Sequence, residues 1–132
     1  MKPTPISSLK CHAEVERWPL IAPFRITGFT REYVDVVTVI VEMGTLVGRG
    51  EATGVHYRGE TAASMVEQIE SLRATIEAGI DRESLRRCMR PGGARNAIDC
   101  ALWDLEAKIA GRFAWQIADL HKPRPQIGRA HV

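Results

Sequence analysis

The chain has 132 residues, enough for one domain that buries roughly two-thirds of the surface its unfolded chain exposes. Its 18 lysines and arginines against 16 aspartates and glutamates leave a formal charge of +2. Both signs are scattered, which offers no electrostatic footprint for nucleic acid or an acidic membrane surface.

No run approaches the ~20 apolar residues that span a bilayer, and the opening "MKPTPISS" lacks the apolar stretch of a secretory signal. A cytoplasmic location is therefore expected. The three cysteines, Cys11, Cys88 and Cys100, are odd in number and widely spaced. That argues against a zinc site and predicts reduced, buried thiols.

Ser8 to Trp18 alternates, with Leu9, Cys11, Ala13 and Val15 on one side and Lys10, His12, Glu14 and Glu16 on the other. The period of two predicts a half-buried strand. In "PLIAPFRITGFTRE" the prolines and the glycine interrupt any ladder, so an apolar loop that covers something is expected. Tyr33 to Met43 is dense in β-branched residues and predicts a strand covered on both faces. A turn at Gly44 and a third strand from Leu46 to Ala52 complete an antiparallel meander.

Beyond a second loop, "TGVHYRGE", the period lengthens to about three and a half residues. Met65, Val66, Ile69, Leu72 and Ile76 make a helical stripe with Thr61 as N-cap and Gly79 at its end. Asp81 is placed to cap a short second helix. Ala94 to Ala110 is the third, and "AWQIADL" a short fourth. Strands first and helices second indicate an α+β fold, a three-stranded antiparallel meander followed by a helical bundle.

The third helix carries one broad apolar stripe, Ala94, Ala97, Ile98, Ala101, Leu102, Leu105 and Ile109. A second line, Asn96, Cys100, Trp103, Ala107 and Ala110, is small or aromatic, and charges fall in pairs such as Arg95 with Asp99 and Asp104 with Lys108. This spacing reads Asp99, Asp104 and Glu106 as structural rather than catalytic. Three strands have little material for two covers, so the second cover is expected from outside the chain.

The stretch "ARNAIDCALWDLEAKIAGR" resembles the helical signature of the mandelate racemase and muconate lactonizing enzyme group of the enolase superfamily. The "PF" at Pro23 and Phe24 and the "GRGEATGVHYRGET" of Gly48 to Thr61 are similar to other features of that group. Phe113 and His121 depart from the signature. The resemblance implies an N-terminal capping domain lacking the (β/α) barrel on which it normally packs.

Within the group, "WPLIAPFRITG" and "GRGEATGVHYRGET" look most like dipeptide epimerases and racemases of N-acylated amino acids such as N-acetyl-glutamate racemase. A muconate-type cycloisomerase, a sugar-acid dehydratase and a stand-alone binding module are the alternatives. The family's chemistry removes a proton beside a carboxylate and stabilises the enediolate with Mg²⁺. Its metal ligands and bases lie on barrel strands, so this chain is expected to hold neither catalytic nor metal residues.

Two capping loops are implied, Leu20 to Phe29 and Thr53 to Gly59. On them Phe24, Arg25, Thr27, Phe29, His56 and Tyr57 are the candidate contacts to a small carboxylate substrate. Arg25 offers a planar fork for the carboxylate, the phenylalanines a wall, and His56 and Tyr57 polar tips. The parent is expected to be a homo-oligomeric isomerase that neither nucleic acid nor membrane engages.

Residues 1–121 are expected to form the capping domain, and 122–132 a truncated linker. Its last six residues, "IGRAHV", resemble the translation of a widely used sequencing-library adapter, and the hypothesis is that 127–132 is an artefact. Resequencing the source DNA across the codon for Gln126 decides this. Continuous barrel-coding sequence is expected, and an authentic stop after Val132 would refute it.

Overall fold

The structure is a computed structural model and describes residues 8–125 and residue 128. Three antiparallel strands lie in the order β1-β2-β3: β1 (Lys10–Ile26), β2 (Phe29–Met43) and β3 (Leu46–Ala52). Five α-helices follow among the described residues: α1 (Ala62–Ser71), α2 (Arg73–Glu77), α3 (Arg82–Cys88), α4 (Gly93–Ala110) and α5 (Ala114–Ile117). The α+β order read from the sequence is the observed one, and no (β/α) barrel occurs among the described residues. The adapter-like tail, apart from Gly128, lies outside them.

The sheet register explains its buried face. Cys11 pairs with Val41, Ala13 with Val39, Val39 with Gly50 and Val41 with Gly48. Cys11, Val37, Val39, Val41, Gly48 and Gly50 are all buried. On β2 the other face, Val36, Thr38 and Ile40, is only half-buried. The expectation that β2 is covered on both faces is corrected: α4 and α1 pack against β2, burying Val37, Val39 and Val41, while Val36, Thr38 and Ile40 on the opposite face keep partial exposure.

Helix α4 packs directly over β3. Ideal Cβ atoms at Gly48 and Gly50 would lie 2.7 Å from Leu105 Cβ and 2.6 Å from Ala101 N, far inside van der Waals contact. Glycine in β3 and alanine at 97 and 101 therefore serve one purpose, close approach of helix to strand. Ile98, Leu102 and Leu105 then fill the space over β2 and against α1 and α3, all fully buried.

The caps follow their chemistry. Thr61 Oγ1 accepts from Ser64 N–H at 3.1 Å and Ser64 Oγ accepts from Thr61 N–H at 3.0 Å, a reciprocal capping box at the start of α1. Asp81 accepts from Ser84 N–H at 2.6 Å, and that backbone donor holds its carboxyl below the usual range. Gly111 ends α4 in the left-handed region at φ 59°.

Two expectations about elements are corrected. The stripe read as one helix ending at Gly79 breaks at Leu72, which sits at φ −108°, ψ 2° between α1 and α2. The kink lets Arg73 turn toward β1, where its guanidinium donates to the carbonyl of Cys11 and pairs with Glu70. The apolar loop from Leu20 to Phe29 is strand: β1 runs to Ile26 and β2 starts at Phe29. Pro19 and Pro23 are tolerated because β1 is an edge strand that needs no N–H on its open side.

The cysteines are corrected as well. Only Cys11 is buried, with desolvation pushing its thiol up to about 11, whereas Cys88 and Cys100 are exposed. Arg95 does not pair with Asp99 but donates to the Met89 carbonyl at 3.3 Å. The Asp104–Lys108 pair forms, at 2.8 Å.

Candidate functional site

The hairpin joining β1 and β2 extends beyond the core as a twisted ribbon. Its tip pairs Phe24 with Arg31, Arg25 with Thr30 and Ile26 with Phe29, closed by Thr27 and Gly28 at φ 73°. Below the tip the register shifts between Pro19 and Phe24, so that Leu20 to Pro23 bulge out opposite Glu32. Ile21, on the bulge, is fully exposed. Arg17 braces the base of the ribbon with hydrogen bonds to Asp35 at 2.7 and 2.8 Å, and its guanidinium lies 3.9 Å from the centre of the Tyr33 ring.

Alternation fixes which side each candidate occupies. Cross-strand partners share a face, so Phe24, Ile26, Phe29 and Arg31 lie on one side of the ribbon and Arg25 and Thr30 on the other. Phe24 and Ile26 are both more than half exposed. The second segment, Thr53 to Gly59, contains a single 3-10 turn at His56–Arg58 closed by Gly59 at φ 69°. The two segments meet where the Phe29 and His56 rings stand 4.4 Å apart.

Between them lies a cleft of about 610 Å³ lined by Phe29, Arg31, Tyr33 and Asp35 from the ribbon and Thr53, His56 and Glu60 from the turn. Of the six candidate residues, Phe29 and His56 line it. Phe24, Arg25, Thr27 and Tyr57 are exposed beside it, with Tyr57 projecting outward at 86% exposure. Phe24 stands outside this cleft.

Glu60 went unnoticed in the sequence. Its Oε2 accepts from Val55 N–H at 2.9 Å and its Oε1 from Gly93 N–H at 3.1 Å. Its position directly before the Thr61 cap, together with an α4 start at Gly92 that offers no capping side chain, is the signal that could have found it.

The helix carboxylates have structural partners. Asp104 accepts from Arg49 N–H and Lys108 Nζ, both at 2.8 Å. Burial pushes the Asp104 carboxyl up, but those donors outweigh it and hold it below the usual range. Glu106 pairs with Arg82 at 3.0 Å, and that guanidinium lies 3.4 Å from the centre of the Trp103 ring. No group of three or more His, Cys, Asp or Glu among the described residues is arranged to hold a metal ion.

The second face of α4 stays open. Cys100, Trp103, Ala107, Gly111 and Phe113 border an apolar groove of about 630 Å³. Phe113, at 69% exposure, stacks on Trp115 at a centroid distance of 6.0 Å. No helix among the described residues is long and apolar enough to cross a membrane.

A three-stranded meander with a helical layer, a projecting ribbon and an uncovered helix face is the architecture of an enolase-type capping domain. Residues 10–118 match the family described as mandelate racemase / muconate lactonizing enzyme, N-terminal domain, and the chain belongs to that family. It is 43% identical over 105 residues to the L-Ala-D/L-Glu epimerase of Escherichia coli K12, covering 80% of this chain and 32% of that protein.

Two of the similar solved structures are dipeptide-epimerase relatives. One is an enolase family member from Agrobacterium tumefaciens with homology to dipeptide epimerases, bound to sodium and L-Ala-L-Glu. It has TM-score 0.81 and 38% identity, and the match covers 86% of this chain and 35% of that one. The other is a dipeptide epimerase from Methylococcus capsulatus complexed with Mg and L-Arg-D-Lys. It has TM-score 0.65 and 30% identity, and the match covers 79% and 32%. The chain thus spans about a third of the length of these relatives.

Proposed function

We propose that this chain is the N-terminal substrate-capping domain of a Mg²⁺-dependent racemase or epimerase that removes the α-proton of an N-acylated amino acid or a dipeptide. The observation that carries the reading is the 43% identity to L-Ala-D/L-Glu epimerase. The geometry supports it. The ribbon tip and the turn at His56 stand side by side, touch through Phe29, and leave Phe24, Ile26 and Tyr57 exposed. Apolar, paired segments of this kind exclude water from a neighbouring reaction centre when they close over it.

In this reading Arg25 takes the substrate carboxylate, because its guanidinium presents parallel donors from an exposed strand tip. Phe24, Thr27, Phe29, His56 and Tyr57 shape the cavity around the rest of the substrate. The acid, base and Mg²⁺ ligands belong to a C-terminal barrel, which docks on the open face of α4. The parent is a cytoplasmic homo-oligomer, residues 1–121 are its capping domain, and 122–132 are a truncated linker whose residues 127–132 derive from a sequencing adapter.

The test is α-proton exchange catalysed by the full-length parent in D₂O, followed by proton NMR with L-Ala-L-Glu and with N-acetyl-glutamate. Exchange with at least one of them is expected; exchange with neither would refute the substrate class. Arg25→Ala is expected to raise KM by about tenfold or more, the equivalent of one charge-assisted hydrogen bond, with a smaller change in kcat. An unchanged KM would remove Arg25 from the site.

A further inference from the structure

We propose that Glu60 is a positioning residue that sets both capping segments from the N-terminus of α4, an inference that rests on the capping function proposed above. The start of an α-helix presents backbone N–H groups with no partner inside the helix. In α4 the N-cap is Gly92, which has no side chain to accept from them. Glu60 supplies the acceptor from a different element, with Oε1 taking Gly93 N–H at 3.1 Å. A negative charge is also favoured at this end of the helix dipole.

The other oxygen reaches the capping turn, where Oε2 takes Val55 N–H at 2.9 Å. Val55 directly precedes His56, whose ring stands 4.4 Å from Phe29 at the base of the ribbon tip. One carboxylate therefore links α4 to the turn and, through the ring pair, to the ribbon. The turn has hydrogen bonds of its own, from Arg58 N–H and Glu60 N–H to the Val55 carbonyl at 3.0 and 3.3 Å. Those maintain its shape, whereas the Glu60 carboxylate sets where it stands relative to α4.

Two features mark the site as built for a carboxylate. Both oxygens accept from N–H groups, so an amide of the same shape must turn its NH₂ toward a donor and lose one arm. A Cβ at Gly92 would overlap Oε1, so glycine is needed there for the approach. Gly92 has φ 162°, an extended conformation open to any residue, which leaves space rather than backbone strain as the constraint.

The experiment compares wild type with Glu60→Gln, Glu60→Ala and Gly92→Ala. In the full-length parent, KM is expected to rise in the order wild type, Glu60→Gln, Glu60→Ala, by on the order of tenfold at the end of the series. The kcat should stay within about threefold and the Tm within a few degrees. In the 132-residue chain the His56 ring protons should lose the ring-current shift imposed by Phe29, and amide exchange at Val55 and Gly93 should accelerate. Gly92→Ala should act in the same direction, and combining it with Glu60→Ala should add nothing, as for two routes to one contact.

An Ala variant that keeps both KM and the His56 shift would overturn the proposal. So would loss of kcat and Tm with the His56 shift intact. If the parent exchanges neither substrate, the capping function fails. The His56 shift and the two amides then still decide whether Glu60 sets the turn.

Discussion

Leu102→Ala is expected to destabilise the domain by about 3 kcal/mol, within the roughly 2–5 kcal/mol seen when a large buried side chain is truncated. Leu102 is fully buried in the core cluster that also holds Ile98, Leu105, Met65 and the β2 valines. Neighbours fixed on a sheet and two helices have little freedom to collapse into the void. Net stability of a domain is only about 5–15 kcal/mol, so the loss should appear as a fall in Tm of about 10 °C or more. Cys100→Ala, on the exposed side of the same helix, is the control and should cost at most about 0.5 kcal/mol. Equal melting curves for the two variants would show that α4 is not packed as described.

Gly50→Val is expected to be at least as damaging, through crowding rather than a cavity. Its Cβ would lie 2.6 Å from Ala101 N and 2.9 Å from Cys100 Cβ. These are helix atoms that can retreat only if α4 lifts off β3. Overpacking costs about 1–3 kcal/mol when neighbours can shift and more when they cannot, so about 3 kcal/mol or complete loss of a cooperative transition is expected. Urea titration followed by far-UV circular dichroism measures it. At Gly44, where a Cβ meets nothing within 4 Å, alanine should cost only the left-handed backbone strain at φ 59°, about 1 kcal/mol. A Gly50→Val midpoint no lower than that of Gly44→Ala would contradict the close helix–strand approach.

These two positions also show where a sequence speaks and where it is silent. The stripe of Ala97, Ile98, Ala101, Leu102 and Leu105 marks its own buried face because the helical period is local information. Thr61 and Asp81 announce helix starts for the same reason: the cap partner is three residues away. Gly48 and Gly50 read only as a strand end, since their need for space comes from a helix about fifty residues later. Leu72 looks like one more member of a stripe, and the break there accompanies a contact of Arg73 with β1, sixty-two residues away in sequence, that no local pattern announces.

The site divides along the same line. Phe29, Arg25 and His56 could be placed on two segments, but not on faces. The register that puts Arg25 opposite Thr30 and Phe29 opposite Ile26 is a property of strand pairing. Pro19 and Pro23 hid that pairing, since a proline argues against a strand unless the strand lies at an edge. Glu60 stayed hidden because its partners are backbone N–H groups five and thirty-three residues away in sequence. Any residue but proline supplies such a group, so no side-chain pattern marks it. Cys11 is buried as its strand alternation predicts, whereas Cys88 and Cys100 are exposed because burial of a helical cysteine depends on which helix face finds a cover within the chain.

The open face of α4 is the centre of the proposed function, and Cys100 lies on it, exposed. Partial burial raises its thiol above the ordinary range, so labelling belongs at mildly alkaline pH, where thiolate is available. In the 132-residue chain, Cys88 and Cys100 should both take up a maleimide under native conditions, while Cys11 should react only after unfolding. In the full-length parent, Cys88 should react as before, and Cys100, beneath the docked barrel, should be protected by on the order of a hundredfold, set by the free energy of local opening. Equal labelling of Cys100 in the isolated chain and in the parent would contradict docking through this face.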